Sequence, residues 1–281
     1  MNKRFALVEV AAGAILVSLL LGCGKREESV SVGQVSSRSP VTNRAAPVSG
    51  KPSRTVPPGR VSPAVRTLAR LDAAVPAGTR RRQLALLPET LAPAEVAALT
   101  NFLAAAVGRV PGIAAEDALA LKNDVMNVLL LRAGEVPGLA PFFAAQALDA
   151  ANARGWRDYA VQALPGLHAH ALSEEDRRVV EETFRAVFAE PRLRPFRGTA
   201  LNGIAAIERG GGRVPGLPLR ETALAVLRDP LSDNAALLTA IALCRKNGWE
   251  EAMPEIRRLA RSAPDPVVRR CAEAAIARNG G

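Results

Sequence analysis

Aromatic side chains are scarce in this chain: two Trp, one Tyr and seven Phe among 281 residues. Strands draw on β-branched and aromatic residues, so this poverty weighs against an all-β fold. Cysteine is also rare. Three residues, at 23, 244 and 271, cannot make a disulfide-stapled scaffold. Histidine occurs twice, at 168 and 170. On a helix, positions i and i+2 point in different directions, and no Cys or acidic cluster completes a set at zinc spacing. Both histidines are expected on the surface near a helix end. The nucleophile elbow, the P-loop and the dinucleotide fingerprint are all missing. The apolar run from Val10 to Gly22 is shorter than the roughly 20 residues that cross a bilayer.

Ala and Leu dominate instead, with Arg and Glu among the charged residues. These are good helix formers, and the reading is all-α. The formal charge is +10, and half of it falls in residues 24–60. Basic charge beside a membrane anchor favours anionic lipid. No nucleic-acid motif accompanies it.

The chain divides by pattern. Lys3 and Arg4 precede the apolar run, which has the length of a signal-peptide core. Residues 24–60 mix Ser, Gly, Pro, Val and charge without a period, so they read as a disordered basic tether reaching ~30–40 Å. From residue 61, apolar positions recur at helical spacing. Leu121, Val125, Val128 and Leu129 form one stripe, Leu237, Ala240, Ile241 and Cys244 another. Breaks fall at Pro and Gly, giving roughly eleven helices. "RGGGRVPG" (209–216) reads as a loop, and "SEEDRR" (173–178) as a helix start capped by Ser173.

The helices repeat at the C-terminal end. "DNAALLTAIALCRKNG" (233–248) lies over "DPVVRRCAEAAIARNG" (265–280) at an offset of 32. Asp233 and Asp265 suit N-caps, Pro266 suits a first helical turn, and Asn-Gly suits a C-terminus. In that alignment Cys244 matches Ile276, about 7.5 Å along the axis from Cys271. The two are therefore expected as unbridged, buried thiols. "RGWRDYAVQALPGL" (154–167) echoes "KNGWEEAMPEIRRL" from its Gly-Trp onward, and 194–212 reads as a degenerate copy.

Two resemblances follow from these motifs. Leu20-Leu21-Gly22-Cys23 resembles the bacterial lipobox. It implies cleavage between Gly22 and Cys23, lipid on Cys23, and an extracytoplasmic protein tied to a membrane. Gly24, where an Asp would mark inner-membrane retention, implies the periplasmic face of the outer membrane. Phe5–Val10 is similar to a type IV pilin leader, but Arg4 stands where that family has Gly. Asp265, Pro266, Val268, Arg269, Ala272, Ala275 and Gly280 resemble the HEAT-like repeat of phycobilisome lyases. That implies a right-handed α-solenoid of antiparallel helix pairs. The expected domains are a signal peptide (1–22), the lipidated Cys and tether (23–60), a divergent helical cap (61–115) and helical repeats (116–281).

The expected function is non-catalytic, with no cofactor, no metal and no small-molecule substrate. A membrane-anchored scaffold binds an unknown protein or peptide. The alternatives are a subunit of a cell-envelope enzyme complex and a pilin-like assembly component. Candidate surface residues are Trp156, Arg157, Tyr159, Arg257, Arg258, Arg269 and Arg270, because Trp, Tyr and Arg dominate binding hot spots. A core role for Trp156 and Trp249 is weighed beside this, since Trp249 is in line with Met253 and Ile256.

Overall fold

Ser62 accepts a hydrogen bond from the Val65 amide and opens the first of twelve α-helices in the computed structural model, which describes residues 61–277. The signal-peptide and tether segments, Gly22 and Cys23 fall outside the described residues. The helices are α1 (Pro63–Leu68), α2 (Ala77–Leu84), α3 (Pro93–Ala104), α4 (Ala115–Leu130), α5 (Leu139–Leu148), α6 (Arg154–Ala169), α7 (Glu174–Ala189), α8 (Arg197–Arg209), α9 (Leu219–Arg228), α10 (Asn234–Asn247), α11 (Met253–Ser262) and α12 (Pro266–Ala277). Short 3₁₀ turns occur at Val107–Arg109, Pro191–Phe196 and Glu250–Ala252. No strand occurs among the described residues, so the fold is all-α.

Local chemistry sets the boundaries. Ser173 Oγ accepts from the Asp176 amide at 3.0 Å, and Asp233 accepts from the Ala236 amide at 2.8 Å. Asp265 accepts from Val267 at 2.6 Å and from Val268 at 3.3 Å. Each satisfies amides that a first turn leaves open. Gly248 ends α10 at φ +65°, a left-handed conformation that glycine enters without steric cost.

Packing follows one rule through the described chain. Helices adjacent in sequence pack as pairs, and every even-numbered helix also packs on the next even-numbered one, from α2 through α12. Odd-numbered helices touch their odd neighbours in α1–α3, α5–α7 and α9–α11. One continuous core lies between, from Val65 to Ala275. Its apolar stripes include Leu121, Val125 and Leu129 of α4, and Leu237, Ala240, Ile241 and Cys244 of α10. Small residues permit the close approach. Ala160 and Ala163 of α6, Ala200 and Gly203 of α8, and Ala272 and Ala275 of α12 are all buried. Within α6, Pro165 supplies no N–H to Val161 O, and its ring lies against α8 at Gly203.

The Gly-Trp echo does not survive as a structural equivalence. Gly155 and Trp156 open α6 in the even layer, whereas Gly248 and Trp249 lie between α10 and α11. Trp156 is fully buried, while Trp249 is half-buried.

Candidate functional site

Five cations mark one register in the even-numbered helices. Arg80 of α2 donates to Leu68 O at 2.7 Å, Val75 O at 3.1 Å and Pro111 O at 3.3 Å. Lys122 of α4 donates to Leu103 O at 2.7 Å and also to Ala105 O. Arg157 of α6 donates to Ala147 O at 3.0 Å. Arg197 of α8 donates to Phe188 O at 2.6 Å and pairs with Asp229 at 2.7 Å. Arg269 of α12 donates to Ala263 O at 2.6 Å and Pro264 O at 3.0 Å. Apart from Pro111 O and Asp229, which lie beyond α3 and α9, every target belongs to the end of the preceding odd-numbered helix or the loop after it. A last helical turn leaves its carbonyls open, and its dipole favours positive charge. Helix α10 breaks the series with Leu237. There Arg258 of α11 reaches Leu227 O of α9 at 2.7 Å instead.

Aromatic faces shield several of these cations. Lys122 Nζ lies 4.9 Å from the Trp156 ring, and the Arg157 guanidinium 4.7 Å from Phe196. Arg80 sits 5.8 Å from Phe102. Burial pushes the Lys122 ammonium down to about 8. Arg80 and Arg157 are also lowered, chiefly by burial. In the N-terminal part, buried Glu95 accepts from the Ser62 amide at 2.9 Å and the Ala92 amide at 3.0 Å. Burial alone would raise its pKa, but these amides and the Ser62 hydroxyl outweigh it and hold the carboxyl below its ordinary range.

These contacts redistribute the seven candidate surface residues. Trp156 and Arg157 are buried, because the third and fourth residues of α6 face the core and the end of α5. They are not surface residues. Arg258 and Arg269 spend donors on carbonyls, and Arg258 also pairs with Glu255 at 2.8 Å. Tyr159 is half-buried against the core. Arg257 of α11 and Arg270 of α12 are exposed. The seven therefore do not form one face. The histidine expectation is half corrected: His170 is exposed, but His168 is buried with Nε2 3.4 Å from Glu181 Oε1. It lies on the side of α6 that meets α7. Cys244 is buried, with its thiol pushed up to about 11 by burial. Cys271 is half-buried rather than buried, and the two are not bridged to each other.

The outer faces of the two layers differ in chemistry. The odd layer is laced with exposed ion pairs: Arg177–Glu174, Arg178–Glu175, Arg228–Glu255 and Arg258–Glu255. In the even layer Arg81 of α2 reaches Asp117 and Asp124 of α4, at 3.5 and 3.6 Å. Five residues beyond Lys122, Arg157 and Arg197 stand Asn127 in α4, Gln162 in α6 and Asn202 in α8, all exposed, whereas Arg80 is followed at that distance by Ala85. Gln162 donates to Asp158 at 3.0 Å, and Thr199 donates to Asp158 at 2.6 Å. The same position holds Ala242 in α10 and Ala274 in α12.

An open depression of about 430 Å³ is bordered by Val61, Arg66, Ala69, Arg70, Asp72 and Ala98. Arg70 and Asp72 are paired there at 2.8 Å. Among the described residues, no group of three His, Cys, Asp or Glu is placed to hold a metal. None of the described helices is long and apolar enough to cross a membrane. Compared with known protein families, curated proteins and solved structures, the chain matches none.

Proposed function

We propose that this chain is a lipid-anchored scaffold of the bacterial cell envelope. In this reading, the helices form a right-handed α-solenoid of HEAT-like repeats that binds a protein or peptide. The observation that carries it is the recurring cation, which ties every even-numbered helix except α10 to the end of the preceding helix at one register. One supersecondary unit repeated with the same internal tie is the physical definition of a repeat fold. Such folds grow surface with repeat number while each unit packs on its neighbours. Arg80 shares the register, which supports counting α1 and α2, within the expected cap of residues 61–115, among the repeats.

Anchoring rests on the sequence. Leu20-Leu21-Gly22-Cys23 supplies the cleavage and acylation site, and residues 24–60 supply reach and basic charge toward anionic lipid. Export would place the scaffold on the periplasmic face of the outer membrane. Mass spectrometry of the mature N-terminus tests the anchor. The expected product begins with acylated Cys23 followed by Gly24 and Lys25, and Cys23→Ala leaves the chain unprocessed or released from membranes. Crosslinking from intact membranes tests the scaffold. Partners captured by the whole chain should vanish when it is truncated after residue 60. If the same partners remain, residues 61–281 are not the binding module.

A further inference from the structure

We propose that Asn127, Gln162 and Asn202 form a carboxamide ladder that receives an extended, proline-rich polypeptide, one helix per turn of the ligand. This rests on the scaffold reading above and specifies its ligand. Counting from Lys122, Arg157 and Arg197, all three amides occupy the fifth position on, and α4, α6 and α8 pack in succession. The match extends around them. Val125 and Met126, Ala160 and Val161, and Ala200 and Leu201 are buried at the third and fourth positions. The amides therefore share one height and one outer face.

Their state within the chain leaves hydrogen-bonding capacity open. Among the described residues, the Asn127 and Asn202 side chains have no partner, and Gln162 uses one amide hydrogen on Asp158. A carboxamide offers both a donor and an acceptor, the complement of a peptide group. Small residues border the ladder: Gly166 is half-buried in α6, and Ala206 in α8. A backbone can approach there. Asp124 and Asp158 stand on the same side of α4 and α6; Arg81 of α2 lies 3.6 Å from Asp124, so the acidic excess beside the ladder sits at Asp158, which favours a neutral or basic peptide.

Spacing selects the ligand conformation. Packed helices stand about 8–10 Å apart. A polyproline II chain advances ~3.1 Å per residue, so three residues cover ~9.3 Å and complete one turn. Every third residue then presents the same side to the protein. A β-strand covers a similar ~10 Å in three residues, but its period of two turns alternate contacts away. Proline has no N–H. The ligand therefore carries a non-proline residue at every third position, with proline between.

Fluorescence anisotropy on the full chain tests this with labelled (Lys-Pro-Pro)₄. Comparison peptides are (Lys-Ser-Ser)₄, of equal charge, and an all-proline dodecamer, which lacks backbone donors. The first should bind at least tenfold more tightly than either. Asn127→Ala, Gln162→Ala and Asn202→Ala should each weaken it about fivefold, the worth of one net hydrogen bond. All three are exposed, so the melting temperature should stay within a degree or two. Equal binding of the three peptides, or unchanged binding by the triple variant, overturns the ladder. Partner crosslinking separates this from the wider reading. If captured partners depend on residues 61–281 yet persist in the triple variant, the ladder alone falls; if nothing depends on 61–281, the scaffold falls with it.

Discussion

Glycine inside a helix is normally a weakness, so replacing it with alanine should stabilise by about 1 kcal/mol. Gly166 in α6 should obey that rule. A Cβ placed there meets only Leu130 Cδ2, at 3.9 Å. Gly203 in α8 should break it. Its Cβ would sit 2.8 Å from Phe184 Cζ, 3.0 Å from Phe184 Cε1 and 3.2 Å from Pro165 Cγ. Phe184 is fully buried and Pro165 is a rigid ring in the neighbouring helix, so neither can swing away as a flexible chain end would. Overpacking of this kind costs about 1–3 kcal/mol. That offsets or exceeds the helix-propensity gain.

The two substitutions are chemically identical, so their difference isolates packing. Gly166→Ala should raise the melting temperature by about 2–4 °C, taking ~1 kcal/mol in a domain of this size. Gly203→Ala should leave it unchanged or lower it by up to ~8 °C, for a net loss of up to ~2 kcal/mol. Thermal unfolding followed by circular dichroism, with urea midpoints as a second measure, reads both. An equal rise at the two sites would refute the close approach of α6, α7 and α8 at Gly203.

Other perturbations test the buried charges. Arg197→Met removes both the tie to Phe188 O and the partner of a mostly buried Asp229, and should destabilise by about 3 kcal/mol. Arg178→Ala, on the exposed face of α7, should leave the melting temperature unchanged. Lys122 titrates near 8 when folded and near 10.5 when unfolded, so the unfolded chain binds more protons between those values. Its contribution to stability therefore rises from pH 8 to 10.5. Cys244 acts oppositely between about 9 and 11, because its folded thiol holds a proton that the unfolded one releases. Comparing wild type with Lys122→Met cancels the cysteine. Wild type should gain up to ~3 kcal/mol relative to the variant as pH rises from 8 to 10.5, read from urea midpoints. At pH 8, a thiol reagent should modify Cys244 only in denaturant.

Much of this fold is legible as pattern. Helical periodicity, the Ser173 and Asp233 caps and the Asn-Gly stop are local chemistry, and local chemistry appears in a short window of sequence. The register is different. Arg80, Lys122, Arg157, Arg197, Leu237 and Arg269 are separated by unequal intervals, from 32 residues at the end to 42 at the start. An offset search tuned to the final interval finds α10 and α12 and misses the rest. It also promotes the Gly-Trp echo, which joins residues from different layers. Surface candidates fail for a related reason. Arg157 and Arg269 look free because their acceptors are backbone carbonyls at the end of another helix or in the loop after it, and carbonyls carry no letter in the sequence. His168 looks like a surface residue near a helix end until α7 folds back over it.

The unequal intervals have a structural location. Where a cation is present it fixes where the even-numbered helix meets the end of its predecessor, so length variation is absorbed in the odd helices, the loops and the first turns of the even helices. Helix lengths agree: α5 and α9 have 10 residues each, whereas α7 has 16. The odd layer accordingly packs loosely between some neighbours, while the even layer stays continuous from α2 to α12. A binding face that needs constant spacing can be built only on the continuous layer. Asn127, Gln162 and Asn202 stand there, five residues from their cations, regardless of the 35 or 40 residues that separate those cations. At Leu237 the direct tie is lost, and Arg258 holds the end of α9 from the other side. The amide position also changes there, to Ala242. The ladder therefore ends at α8, and restoring it with Ala242→Asn should add a fourth contact. About a fivefold gain in affinity for a (Lys-Pro-Pro)₄ ligand is expected, and no gain would show that α10 does not continue the α4–α6–α8 register.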